Sequence, residues 1–228
     1  PTRRSSDLIV QNNSKYPIMA NNDESAILRW TGVSPYTSPF LTVREQDWRA
    51  PAIASFFIDN LRTWNDPRID LSTYAVNGVN RWGIAPYQGG FWGVPSGYEP
   101  GTNPVKMSYF YSDAQTVSGA PARSLRTDPL TGQMLNYAEV QFILAEAAAK
   151  GWISGSAENY YNKGVQASIT LWIPQWNTPV TDYLSAADMS WNDSETLEEK
   201  MEKIHLQKYY ALFCCDLQQW FEYRRTGH

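Results

Sequence analysis

Histidine and cysteine are nearly missing from this chain, which holds two of each in 228 residues. The histidines are His205 and His228, no HExxH or CxxC spacing occurs, and the sequence offers no metal-ligand set of the zinc type. His205 and Cys214 are poorly aligned along their shared stretch, which excludes a Cys–His nucleophile pair. Cys214 and Cys215 are adjacent in what reads as a helix, where neighbouring side chains diverge by about 100°. That is out of reach of ordinary disulfide geometry, so both are expected as free thiols. Charge is scarce too. Only 18% of residues are charged, the formal net charge is -4, and the longest basic clusters are the pairs Arg3-Arg4 and Arg224-Arg225. Nucleic acid needs a clustered Lys/Arg footprint, so it is excluded as a partner. No apolar run reaches the roughly 18 residues of a spanning helix, and the sequence holds no n-region followed by an h-region of the signal-peptide kind. The start at Pro1 has no initiator Met and the end at His228 follows directly on a helical stretch, so both ends are expected to be cut. No Gly-rich phosphate loop follows a strand and no DxDxDG calcium loop occurs, so no cofactor is expected.

Aromatic side chains are plentiful instead. They make up 14% of the chain, with 10 Trp and 14 Tyr, more than a core of this size requires. Trp and Tyr carry a polar handle that suits half-exposed positions, so some of them are expected at the surface. The length fits one compact domain over residues 1–228, near the upper limit for a single core.

The chain changes texture twice. Ile53, Phe56, Phe57, Leu61 and Trp64 fall at helical spacing and predict a short amphipathic helix ending before Asp66-Pro67. From about 66 to 131 the chain is rich in Gly, Pro, Asn and aromatics without sustained period, which predicts irregular loops with at most short strands. Helical periodicity then governs residues 135–226. Tyr137, Val140, Leu144 and Ala147 form one stripe and Phe142, Ala145 and Ala149 another, with Gly151 as a natural stop. Ser156 caps the next helix, whose face Ala157, Tyr160, Tyr161, Gly164, Val165, Ser168 and Leu171 runs until Pro174. The two read as an antiparallel hairpin. Thr196 and Glu199 form a candidate capping box for a long helix reaching about Arg224. The expected architecture is mainly α, with stacked, tetratricopeptide-like helical hairpins and long irregular loops, although no repeat of about 34 residues is legible.

Several of these runs resemble a known family. The segment Leu135–Gly151 (LNYAEVQFILAEAAAKG) is similar to a helix typical of SusD/RagB outer-membrane proteins, in particular the second SusD-like subgroup. Tyr160-Tyr161-Asn162-Lys163-Gly164 followed by Ala167-Ser168, the upstream Asn65-Asp66-Pro67-Arg68, and the run Lys203–Phe213 through Gln219–Gly227 resemble further family marks in the same order. The resemblance covers roughly Ala50 to the C-terminus and implies the C-terminal portion of a longer protein. It further implies a helical scaffold whose loops hold the ligand, and no catalytic activity. The partners it implies are an oligosaccharide or other nutrient and a SusC-type TonB-dependent transporter. It implies location at the outer-membrane surface of a Bacteroidetes-type bacterium, through a lipid anchor outside this chain.

The candidate ligand loop is Arg81 to Gly101. Trp82, Tyr87, Phe91, Trp92 and Tyr98 offer planes that stack on sugar rings, interspersed glycines let the backbone approach, and Asn80 offers an amide to hydroxyls. The competing reading is that these aromatics pin the loop to the scaffold. Asn65-Asp66-Pro67-Arg68 reads as a turn in which Arg68 pairs with Asp66, Asp70 or another carboxylate. A catalytic alternative rests on Glu139 and Glu146, two turns apart on one helix at about 10 Å, a separation that suits an inverting glycosidase. Against it, they flank a packed Ala-rich stripe. A third reading is a helical scaffold that binds only protein.

Overall fold

Residue 136 is where the helical part of the molecule begins. Asn136 has extended backbone and its side chain accepts a hydrogen bond from the Glu139 amide, capping helix α4 (Tyr137–Ala149). In this computed structural model, residues 3–99, 102 and 105–227 are described, with side chains from residue 7 onward; Gly101, His228 and the Arg3-Arg4 side chains lie outside the described residues. Phe142 and Ala145, on the second stripe predicted for α4, are fully buried, whereas Tyr137, Val140, Leu144 and Ala147 are half-buried. Helix α5 (Ala157–Trp172) is capped by Ser156 as expected, stops before Pro174, and returns antiparallel along α4. Gly164 permits that approach: a Cβ there would lie 2.8 Å from the Phe142 ring.

Among the described residues the chain is mainly α, with eight α-helices and strands of two or three residues. It divides into two compact units, one formed by Pro1–Leu28 with Gly132–His228 and the other by Arg29–Thr131. The first holds α1 (Arg3–Gln11), the α4/α5 hairpin, α6 (Val180–Ala186), α7 (Leu197–Ala211) and α8 (Gln218–Thr226). Helix α7 packs against both members of the hairpin, giving the stacked-hairpin arrangement. Its start carries the predicted capping box, with Thr196 Oγ1 accepting from the Glu199 amide and Glu199 accepting from the Thr196 amide. The short antiparallel pair β1 (Ala26–Ile27) and β6 (Gln133–Leu135) joins the two stretches of this unit.

The long C-terminal helix expected from residue 196 to about 224 is two helices. The chain turns between Ala211 and Gln218, where Cys214 and Asp216 both take left-handed backbone (φ 67° and 42°) that an α-helix cannot continue through. The two cysteines therefore sit in a turn rather than a helix, and both are free thiols. A tertiary contact fixes the turn. The Asn136 amide donates to the Ala211 carbonyl (2.9 Å) and to Cys215 Sγ (3.4 Å), and Cys215 is buried beneath it. Burial and the nearby Glu139 charge push the Cys215 thiol up to about 12. Beyond the turn, Leu217 just before α8 and Trp220, Phe221 and Tyr223 along it are exposed, so α8 does not bury one continuous apolar face.

The second unit contains α2 (Glu45–Arg49), α3 (Ser55–Thr63) and the two-residue antiparallel pairs β2 (Ile84–Ala85) with β3 (Tyr109–Phe110) and β4 (Thr116–Val117) with β5 (Ala120–Pro121). The rest is turn and loop. Helix α3 is the short helix predicted upstream of Asp66-Pro67, and it buries Phe57, Ile58 and Leu61 while Phe56 faces outward. Each such buried side chain contributes about 1.5–3 kcal/mol.

A Gly164→Ala substitution tests the hairpin. Alanine favours a helix over glycine, but its methyl would drive into the fully buried Phe142 ring, so a net loss of about 1–3 kcal/mol and a lower melting temperature are expected by thermal denaturation.

Candidate functional site

The loop-rich unit is organised on a buried ion pair. Asp66 and Arg68 are each 1% exposed, and the guanidinium meets the carboxylate with two hydrogen bonds, Nε to Oδ1 (2.8 Å) and Nη2 to Oδ2 (2.7 Å). Asp66 also accepts from the Arg68 amide and so caps the 3₁₀ turn Pro67–Ile69. Of the carboxylates considered for Arg68, Asp66 is the partner, and Asp70 instead accepts from the amides of Ser72, Thr73 and Tyr74. Arg68 in turn fixes the candidate loop. Its carbonyl accepts from the Trp82 amide (3.2 Å) and its guanidinium lies 4.7 Å from the Trp82 ring centre. The indole stacks on Phe57 from α3 with centroids 5.8 Å apart.

Three of the six residues singled out for ligand contact are thus packing residues. Trp82 is fully buried and has no face left for a sugar. Phe91 is buried. Asn80 is fully buried, and its amide closes the 80–84 turn by donating to the Ile84 carbonyl (2.8 Å) and accepting from the Ile84 amide (3.0 Å). The pinning reading holds for these three because turn geometry and an aromatic contact consume their surfaces.

Tyr87, Trp92 and Tyr98 stand at the surface, Trp92 at 44% and Tyr98 at 52% exposure. The position of Trp92 follows from its successor. A Cβ on Gly93 would lie 2.5 Å from the Ser55 amide nitrogen, so only glycine lets this strand lie against the start of α3, where Ser55 donates to the Val94 carbonyl and Val94 to the Ile53 carbonyl. One face of the Trp92 indole is held by the Arg62 guanidinium, 4.0 Å from the ring centre.

Tyr87 belongs to a groove of about 480 Å³. Its other walls come from α2 and the segment entering β3: Gln46, Arg49, Lys106, Met107 and Tyr109. The sequence drew no attention to these five. The Lys106 ammonium lies 4.2 Å from the Tyr109 ring centre and donates to the Arg49 carbonyl. Burial and the positive charge of Arg49 lower the Lys106 pKa. Two half-buried phenol rings, an amide and two cations around an open groove can stack on a ring, bond its hydroxyls and hold a negative charge.

A family model described as starch-binding and associating with the outer membrane, the second SusD-like group, matches residues 3–228. The chain belongs to this SusD-like family. The match begins far upstream of Ala50, where the sequence resemblance first became legible. Among solved structures, a SusD homologue of Bacteroides fragilis is 24% identical with a TM-score of 0.71, covering 99% of this chain and 50% of its own. A SusD homologue of Bacteroides thetaiotaomicron is 21% identical with a TM-score of 0.67, covering 99% and 47%. A chitin-binding SusD homologue of Flavobacterium johnsoniae is 20% identical with a TM-score of 0.58, covering 100% and 49%. At these identities the likeness is one of fold, and this SusD-like chain spans about half the length of the structures it matches. No curated protein matches it. Among the described residues no helix is long and apolar enough to cross a membrane.

The two carboxylates considered for glycosidase chemistry are engaged by cations within the scaffold unit of this SusD-like chain. Arg225 grips Glu146 through two hydrogen bonds of 2.8 Å, and Lys150 donates a third at 2.5 Å. Burial acts to raise the Glu146 carboxyl, but the hydrogen bonds from His205, Arg225 and Lys150 outweigh it and hold it well below the usual carboxylate range. Glu139 goes the other way: burial raises it, and Glu222 adds to that, against the pull of Lys208 at 3.8 Å. Opposed shifts of this kind occur in acid–base pairs. Here, however, both side chains are buried, 6% and 5% exposed, which leaves no room for a sugar ring between them.

Two outcomes are expected from these ion pairs. Arg68→Ala strands the Asp66 carboxylate in the interior and should cost about 3–5 kcal/mol by denaturant unfolding, more than replacing both residues with apolar ones. The Glu146 pKa lies below its ordinary 4.5 in the folded state, so its stabilisation is present above that value and lost as pH falls below it. Glu146→Gln should therefore flatten the acid limb of the stability–pH curve, read by thermal melts at a series of pH values.

Proposed function

We propose that the protein carrying this chain is a non-catalytic surface binder that captures oligosaccharides at the outer membrane and delivers them to a SusC-type TonB-dependent transporter. The observation that carries the reading is the groove walled by Tyr87 and Tyr109 in the loop-rich unit, with the Gln46 amide and two cations at hand. Aromatic planes beside amides suit a sugar ring, whose faces are apolar and whose edges are hydroxylated. Trp92 and Tyr98 add exposed aromatic surface on the same candidate loop. Family membership supports the nutrient-capturing part of the reading, and the chitin-binding homologue supports a saccharide ligand. Glu139 and Glu146, engaged with Lys208 and with Arg225 and Lys150, support binding over hydrolysis. Localisation and the transporter partner rest on the family resemblance, as does the lipid anchor.

Titration calorimetry of the intact protein against a panel of oligosaccharides tests the proposal. At least one should bind, and Tyr87→Ala and Tyr109→Ala should each weaken it about fivefold, the loss of roughly 1 kcal/mol of ring stacking. Unchanged affinity in both variants would remove the groove from the site.

A further inference from the structure

The groove holds more positive charge than its surroundings neutralise. Arg49 pairs with Glu45 through Nη2 at 3.1 Å, and the same Glu45 oxygen also accepts from Ser112 at 2.9 Å. The Arg49 Nε is sealed from solvent and has no acceptor among the described residues. Lys106 forms no ion pair among the described residues; its partners are a backbone carbonyl and the face of Tyr109. The other carboxylate of α2, Asp47, is taken by Arg44 at 2.6 Å. Among the described residues Glu45 thus pairs with Arg49 and no carboxylate pairs with Lys106, whose pKa is lowered first by burial and then by the crowding of the Arg49 charge. A bound anion would relieve it.

We infer that the groove selects acidic saccharides, with Lys106 and Arg49 holding the carboxylate of a uronic acid unit whose ring rests against Tyr87 and Tyr109. The inference rests on the glycan-binding reading of this groove and narrows its substrate class. A neutral glucan or chitin fragment would leave Lys106 without a counter-charge beside the Arg49 guanidinium, whereas a carboxylate gains charge-assisted hydrogen bonds there. The amide of Gln46 remains for ring hydroxyls.

The test pairs each of several oligouronides (galacturonide, glucuronide, guluronate) with its carboxyl-reduced counterpart, which keeps ring, linkage and length and removes the charge. The intact protein should bind at least one acidic member about tenfold more tightly than its reduced partner, and the difference should shrink as salt is raised. Lys106→Met should weaken binding of that acidic ligand about tenfold, and Lys106→Arg should restore most of it. Lys106 is exposed, so the fold is expected to survive both changes, with melting curves as the check. Neutral members bound as well as acidic ones, or Lys106→Met without effect on the acidic ligand, would overturn the inference and leave glycan binding standing. Failure of every saccharide, acidic and neutral, would overturn both. A sulfated oligosaccharide bound as tightly as the best uronide would overturn the assignment to a carboxylate.

Discussion

The buried pair of Asp66 and Arg68 is the constraint on which the loop-rich unit depends. Two opposite charges taken out of water cost several kcal/mol of hydration, recovered only when geometry is close to ideal. Here it is a two-point fork with an additional backbone amide on the same carboxylate. What the pair supplies is position. Arg68 reaches Trp82 through both its carbonyl and its guanidinium, Trp82 stacks on Phe57, and Phe57 belongs to α3. A segment without regular secondary structure thereby acquires a rigid floor, and the surface aromatics that follow it are displayed from a fixed base rather than from a mobile chain.

The scaffold unit uses polar groups in the same manner. The single Asn136 amide caps α4, closes the end of α7 and holds the Cys215 turn. The Glu146 carboxylate is a meeting point for α4, α7 and α8 through Lys150, His205 and Arg225. A buried carboxylate surrounded by cations looks, in a list of residues, much like one half of a catalytic pair. Access separates the two cases: a reacting group must be reachable, whereas these are enclosed by the helices they join.

Much of the scaffold was legible because its signals are local. Ser156 and the Thr196–Glu199 box mark helix starts within four residues, and the apolar spacing of α4 and α5 repeats often enough to fix the period. The break after Ala211 was hidden because nothing local demands it: the residues from Leu212 to Leu217 keep helical spacing, and the left-handed turn is imposed by Cys215 docking on a residue far away in sequence. The candidate site was legible only in part for the same reason. An indole gives the same sequence signal whether it packs beneath a loop, as Trp82 does, or projects from it, as Trp92 does. Arg49 and Lys106 are brought together by tertiary structure, so no spacing pattern pointed to them. The loop glycines carried real information, but about backbone contact at Gly93 rather than about ligand approach.

The way the chain enters and leaves the loop-rich unit has an evolutionary consequence. The Leu28 amide donates to the Gly132 carbonyl on the scaffold side, and the Trp30 amide donates to the Pro129 carbonyl on the other. Everything between departs and returns through one short doorway whose two jambs are already hydrogen-bonded to each other. Changes in the length or composition of that interior stretch need not propagate into the register of the helices. A lineage could thus rewrite about a hundred contiguous codons with the helical frame inherited intact.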